Sequence, residues 1–131
     1  MKPHNGGEAV PPRPAAIIPT QEISEMTAGI DNKAQHIDLP LGTVLVTRGI
    51  DQLIKSGRLD PDFVCHLIAR HSVGDWGDLC EEDREMNREA LDPECPERVM
   101  SSYEVESIHD SIWIITEWDR SATTVLLPEE Y

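Results

Sequence analysis

The spacing of apolar residues changes period along the chain, and each change marks an element. From Leu41 to Thr47 the run LGTVLVT is β-branched and apolar, is bounded by Pro40 and Gly49, and predicts a strand. Ile50, Leu53 and Ile54 then fall at i, i+3 and i+4, the face of a short helix that Thr47 can cap and Gly57 can end in a left-handed conformation. Asp60 and Pro61 supply a cap and a first helical residue. Phe63, Val64, Leu67 and Ile68 give this second helix its apolar face, and it closes between His71 and Gly74. A third helix is expected after Gly77, with Asp78 as its cap, Glu81 at the third position, and Leu79, Met86 and Ala90 on one weakly apolar face.

Asp92-Pro93 and Cys95-Pro96 break that helix, and from Arg98 the period becomes two. RVMSSYEV at 98–105 alternates, His109-Asp110 marks a turn, and Ile112 to Trp118 is the most β-prone run in the chain. Its faces are both apolar enough to be covered. Asp119-Arg120-Ser121 turns the chain and Ala122 to Leu127 returns, which makes an antiparallel meander. The expected fold class is α+β. A short opening strand sits on an edge, and two or three helices pack on one face of a mainly antiparallel three- to four-stranded sheet. Residues 1–40 hold six of the ten prolines and no apolar period, and read as a disordered proline-rich leader before a single α+β domain at 41–131. Within that leader, Ala15-Ala16-Ile17-Ile18 can dock as an extended segment.

Charge narrows the partners. The formal net charge is −14, and residues 41–131 alone carry twenty Asp/Glu against eight Lys/Arg. Such a surface repels a phosphate backbone, so direct nucleic-acid binding is not expected, whereas a protein with a basic surface is a fitting partner. No apolar run reaches 18 residues and no signal peptide precedes the three cysteines, which predicts reduced thiols, no membrane and a cytoplasmic setting. Cys65, Cys80 and Cys95 lack the close pairing of a zinc site, and no dinucleotide, P-loop, HExxH or GxSxG motif occurs. No cofactor, metal or catalytic nucleophile is therefore expected.

Two candidate surfaces remain. The first is Trp76, held between Gly74 and Gly77, with Asp75, Asp78, Glu81, Glu82, Asp83 and Glu85 around it. Its tryptophan either plugs a small core or anchors a partner, and its acids either compensate a helix dipole or form an anionic ridge. The second is the tip of the last hairpin, with Glu117, Asp119, Arg120 and Thr123. Glu117 and Asp119 at i and i+2 can share a divalent cation, the basis of an alternative as a small metal-dependent hydrolase or nuclease. An ion pair with Arg120 that fixes hairpin register accounts for the same residues. A regulatory or assembly module anchored by Trp76 is a further alternative. His71 is expected near a helix C-terminus, where protonation would be favoured by the dipole.

The stretches GDWGDLCEEDREMN and IWIITEWDRSATTVLLPEEY resemble a family of small bacterial proteins labelled plasmid-related, carried on plasmids and other mobile elements. The resemblance runs from about Leu41 to Tyr131. Val73 departs from a usual serine, the linker from Asp92 to Glu97 differs, and the proline-rich leader is added. The family has no established reaction, so the resemblance implies genomic context. Joined to the charge, it implies a small acidic protein that occupies the basic cleft of a host nucleic-acid-binding defence complex as a nucleic-acid mimic.

Overall fold

The computed structural model describes residues 14–19 and 37–131. Strand β1 (Pro14–Ile18) is followed by β2 (Thr43–Thr47), α1 (Arg48–Lys55), α2 (Pro61–Ser72), α3 (Glu81–Ala90), β3 (Val99–Val105), β4 (Asp110–Thr116) and β5 (Ala122–Leu126). Short 3-10 turns follow β3 and β5, at Glu106–Ile108 and Pro128–Glu130. The fold is α+β, and the sheet is mixed and five-stranded in the order β1-β2-β5-β4-β3. β3, β4 and β5 form the expected meander, while β2 joins β5 in parallel.

Two expectations change at this sheet. The opening strand β2 does not lie on an edge, because residues 14–18 of the leader pair antiparallel with it and make a fifth strand. The extended segment thus docks on the chain's own sheet, where Ala16 and Ile18 pack against the core. Residues 37–40 of the leader also join the domain, with Leu39 buried in its core, while residues 1–13 and 20–36 lie outside the described ones.

The helices follow local chemistry closely at two ends. Asp60 accepts from the Asp62 amide at 3.0 Å with Pro61 at the first helical position, as expected. Gly57, at φ +84°, ends α1 while the Arg58 amide reaches back to the Leu53 carbonyl at 3.0 Å. The start of α1 differs from expectation. The Thr47 hydroxyl does not cap it but bonds the Glu130 carboxylate, which also accepts from the Gly49 amide at 2.8 Å. A carboxylate 81 residues downstream of Gly49 occupies the positive end of the helix, where local sequence offers a threonine.

Among the described residues, α1 and α2 pack on one face of the sheet, and α3 lies against β3. The main core joins Val44, Val46, Ile112, Ile114 and Val125 of the strands to Ile50, Val64, Leu67 and Ile68. Phe63, placed on that apolar face by spacing, is exposed instead. A smaller cluster unites Leu39, Trp76, Ala90 and Val99 under α3.

Candidate functional site

The glycine-bracketed loop is a structural closure. Trp76 is fully buried, at 0 % exposure, so its part as a partner anchor is overturned. Its backbone lies beside β3 and acts as a fragment of a sixth strand. The Ser102 amide donates to the Trp76 carbonyl at 3.2 Å and the Asp78 amide donates to the Ser102 carbonyl at 2.7 Å. Gly77 is obligatory there: it sits at φ +77°, and a Cβ would stand 2.2 Å from the Ser102 carbonyl oxygen. Asp78 is not the cap of α3. Its carboxylate accepts from the Glu104 amide at 2.7 Å, and Cys80 takes the cap position without a side-chain bond. Asn87 completes the closure, since its amide side chain bonds both the Met100 amide and the Met100 carbonyl, at 3.1 and 2.7 Å. Met100 and Ser102 thereby have both outward backbone groups bonded from within the chain, and Glu104 has its amide.

Asp75 is likewise committed. Burial works against its charge, but two hydrogen bonds from Arg70, at 2.7 and 3.2 Å, hold its carboxyl below the usual range. The same guanidinium lies 4.7 Å from the centroid of Tyr103, whose hydroxyl donates to the Asp75 carbonyl at 2.6 Å.

Behind this loop, His71 lies in the last turn of α2 as expected, but it is buried. Its Nδ1 bonds the Ser101 hydroxyl, and its Nε2 lies 2.9 Å from the Thr116 hydroxyl. Thr116 bonds Thr123 at 2.7 Å, and Thr123 donates to the Leu41 carbonyl at 2.8 Å. The direction of the chain follows from proton counting. The carbonyl only accepts, so Thr123 spends its proton there; Thr116 must then donate to Thr123, and His71 Nε2–H must donate to Thr116. Nδ1 is left as acceptor for Ser101. Burial first, and then the charge of Arg120, push the His71 pKa down to about 3, so the ring is neutral. Thr123 is therefore an interior link and not part of an exposed hairpin surface.

The acids of α3 do face outward. Glu81, Glu82, Asp83, Glu85 and Glu89 are all exposed, and Met86, expected on the packed face, is 66 % exposed. Asn87 and Ala90 form the inner face instead. Arg88 pairs with Glu81 and Glu85, at 3.1 and 2.6 Å, while Arg84 donates to the Gly77 and Leu79 carbonyls.

At the hairpin tip the two acids diverge. Glu117 pairs with Arg98 at 3.1 Å, whereas Asp119 accepts from the Ser121 hydroxyl and amide, which hold its carboxyl below the usual range. Each carboxylate thus has its own partner, and the described residues contain no group of three or more His, Cys, Asp or Glu able to hold a metal. Arg120, at φ +61°, pairs with no carboxylate among the described residues. Its guanidinium donates to the carbonyls of Ala90, Glu97 and Glu117, at 2.8, 2.6 and 3.1 Å. It thereby fastens the tip to the C-terminal end of α3 and to the linker. The two candidate surfaces meet at Arg120, a convergence that residue spacing alone does not disclose. Beside it Trp118 is 57 % exposed. A separate open groove of about 580 Å³ lies at the β3–β4 turn, lined by Glu104, Glu106, His109 and Asp110 among others.

The chain matches no family model, no curated protein and no solved structure. No helix among the described residues is long and apolar enough to cross a membrane.

Proposed function

We propose that this chain is an acidic interaction module that docks on the basic surface of a partner protein through α3, the 92–97 linker and the hairpin tip. The observation that supports it is the disposition of charge. Residues 78–120 contain fourteen Asp/Glu, four Arg and no Lys. All four arginines are spent inside the chain, on carbonyls or on Glu81, Glu85 and Glu117. Glu82, Asp83, Glu89 and Glu94 are exposed and make no ion pair among the described residues. Trp118 offers an apolar anchor beside this field, in the place first considered for Trp76.

A cleft built to grip phosphate suits such a surface, and the resemblance to mobile-element proteins suggests a host defence complex as its owner. Mimicry of nucleic acid in that cleft is the reading we favour over hydrolysis, because Glu117 and Asp119 are turned to separate partners. The test is capture of host proteins on the full chain, followed by affinity measurement at several salt concentrations. Affinity should fall steeply between about 0.05 and 0.5 M salt, and weaken by about tenfold or more in the Glu82→Gln, Asp83→Asn, Glu89→Gln, Glu94→Gln variant. Affinity indifferent to both changes would overturn the reading.

A further inference from the structure

The two ends of the sheet are held in opposite ways. β3 is closed by backbone bonds from the Trp76 loop and by the Asn87 side chain, and the indole of that loop is fully buried. β2 is covered by β1, a strand with a much lighter hold: Ala16 and Ile18 are half-buried and Ile17 is 68 % exposed. A bulge between Pro14 and Ala16 interrupts the register. Pro14 and Pro19 bracket the strand, and neither has an amide to give to a ladder.

β2 keeps its place by contacts that do not involve β1. Val44 and Val46 are buried in the core with residues of α1 and α2. β5 pairs along the other side of β2, where the Thr43 amide donates to the Ser121 carbonyl at 3.1 Å, and the Thr47 hydroxyl bonds Glu130. Backbone groups alternate sides along a strand, so with Thr43 and Leu45 turned to β5 the amides of Val44 and Val46 point to β1. Their partners there are Ile18 and Ala16. The connection from β1 to β2 is 24 residues long, and within it the domain has its own anchor at Leu39, which is buried and whose amide donates to the Ser72 carbonyl at 3.0 Å.

We propose that the β2 edge is a strand-receiving site, filled in this structure by the chain's own residues 14–18, and that β1 is detachable and gives way to an extended segment of a partner protein. Recognition is carried by the backbone of Val44 and Val46, which any extended chain can meet. The two side chains held at this edge define the rest of the partner's chemistry. It places a small residue where Ala16 lies and an apolar β-branched one two residues on, where Ile18 lies, with the residue between them facing out. A second copy is a poorer occupant, because a net charge of −14 on each molecule repels it and a tethered β1 returns to its own edge. The site lies at the opposite end of the strand order from β3 and α3, so it stands or falls independently of the acidic surface.

The first measurement is native-state hydrogen exchange on the full chain. The amides of Val44 and Val46 should exchange about tenfold or more faster than that of Leu45, because they open with β1 while Leu45 stays bonded to β5. Ile18→Asp should release β1 from a domain that remains folded and strip most of the protection left at Val44 and Val46. Ile17→Asp, at the exposed position, should change it by less than about threefold. The probe for the site is a fluorescein-labelled peptide of residues 11–20, PPRPAAIIPT. It should bind the Ile18→Asp chain about tenfold or more tightly than the unmodified chain, whose own strand competes in cis. The same peptide carrying Ile18→Asp should bind neither. Equal exchange of Val44, Val46 and Leu45 overturns the proposal, as does loss of the folded domain in Ile18→Asp or equal binding of the peptide to both chains. A dimer of the unmodified chain that exchanges β1 between copies overturns the choice of a partner protein as occupant.

Discussion

Trp76 and Trp118 each stand in a short polar turn beside carboxylates, yet one is sealed and the other is open. The difference lies in the backbone around them. Gly74 and Gly77 adopt φ of +92° and +77°, which lets the loop fold flat against β3 and carries the indole inward. The Trp118 turn has no glycine; its left-handed position is taken by Arg120, whose side chain is tied to three carbonyls. The glycine loop spends its polar groups on closing the sheet. The arginine turn spends its cation on joining elements and leaves its aromatic ring outside. An aromatic flanked by acids is thus ambiguous until the turn chemistry beside it is read.

The largest expected effect divides these two residues directly. Trp76→Ala should destabilise the domain by about 3–5 kcal/mol in urea unfolding, because it empties the small cluster under α3. Trp118→Ala should stay within about 0.5 kcal/mol. Equal losses would erase the distinction between plug and exposed anchor.

Next comes the pair Gly77 and Gly57, both at positive φ. Gly77→Ala adds a collision with Ser102 and Tyr103 to its strained backbone and should cost about 2–4 kcal/mol. Gly57→Ala meets nothing within 4 Å, so only the backbone term of about 1 kcal/mol is expected. Thermal or urea unfolding of both variants measures the contribution of close packing at the loop.

The smallest effect per step concerns pH. His71 titrates near its ordinary value of 6.5 when unfolded and at about 3 when folded, so the unfolded chain binds more protons between these limits. Stability is full above about pH 6.5 and falls as pH drops toward 3, by at most about 1.4 kcal/mol per unit from this group. His71→Gln should be less stable at neutral pH and show a shallower decline over that window in urea midpoints. An unaltered slope would mean that the ring does not govern the hydroxyl chain behind the hairpin.

Much of the α+β order was legible in sequence because its signals are local. Asp60-Pro61, Gly57 and the alternation of 99–105 each act within a few residues. The misses share a long range. Glu130 displaces Thr47 as the cap of α1, and β3 draws Asp78 away from α3. β1 escaped notice as part of the sheet because prolines mask its short apolar run, and its partner lies beyond a 24-residue connection. For the candidate surface, the acids of α3 are visible as charge, but residue spacing points Arg120 at carboxylates. Only the left-handed turn aims it at carbonyls. His71 had no signal of burial beyond its place one turn after Leu67 and Ile68.

The closure of β3 by the glycine loop and Asn87 also sets a rule for assembly. Strand addition needs an unpaired edge, and among the described residues the sheet offers that only at β1. Two molecules meeting edge to edge would use both of their available edges at once. Such contact ends at a twofold pair and cannot grow into a fibre. The tryptophan loop is therefore a chain terminator for sheet growth as well as a plug for the core.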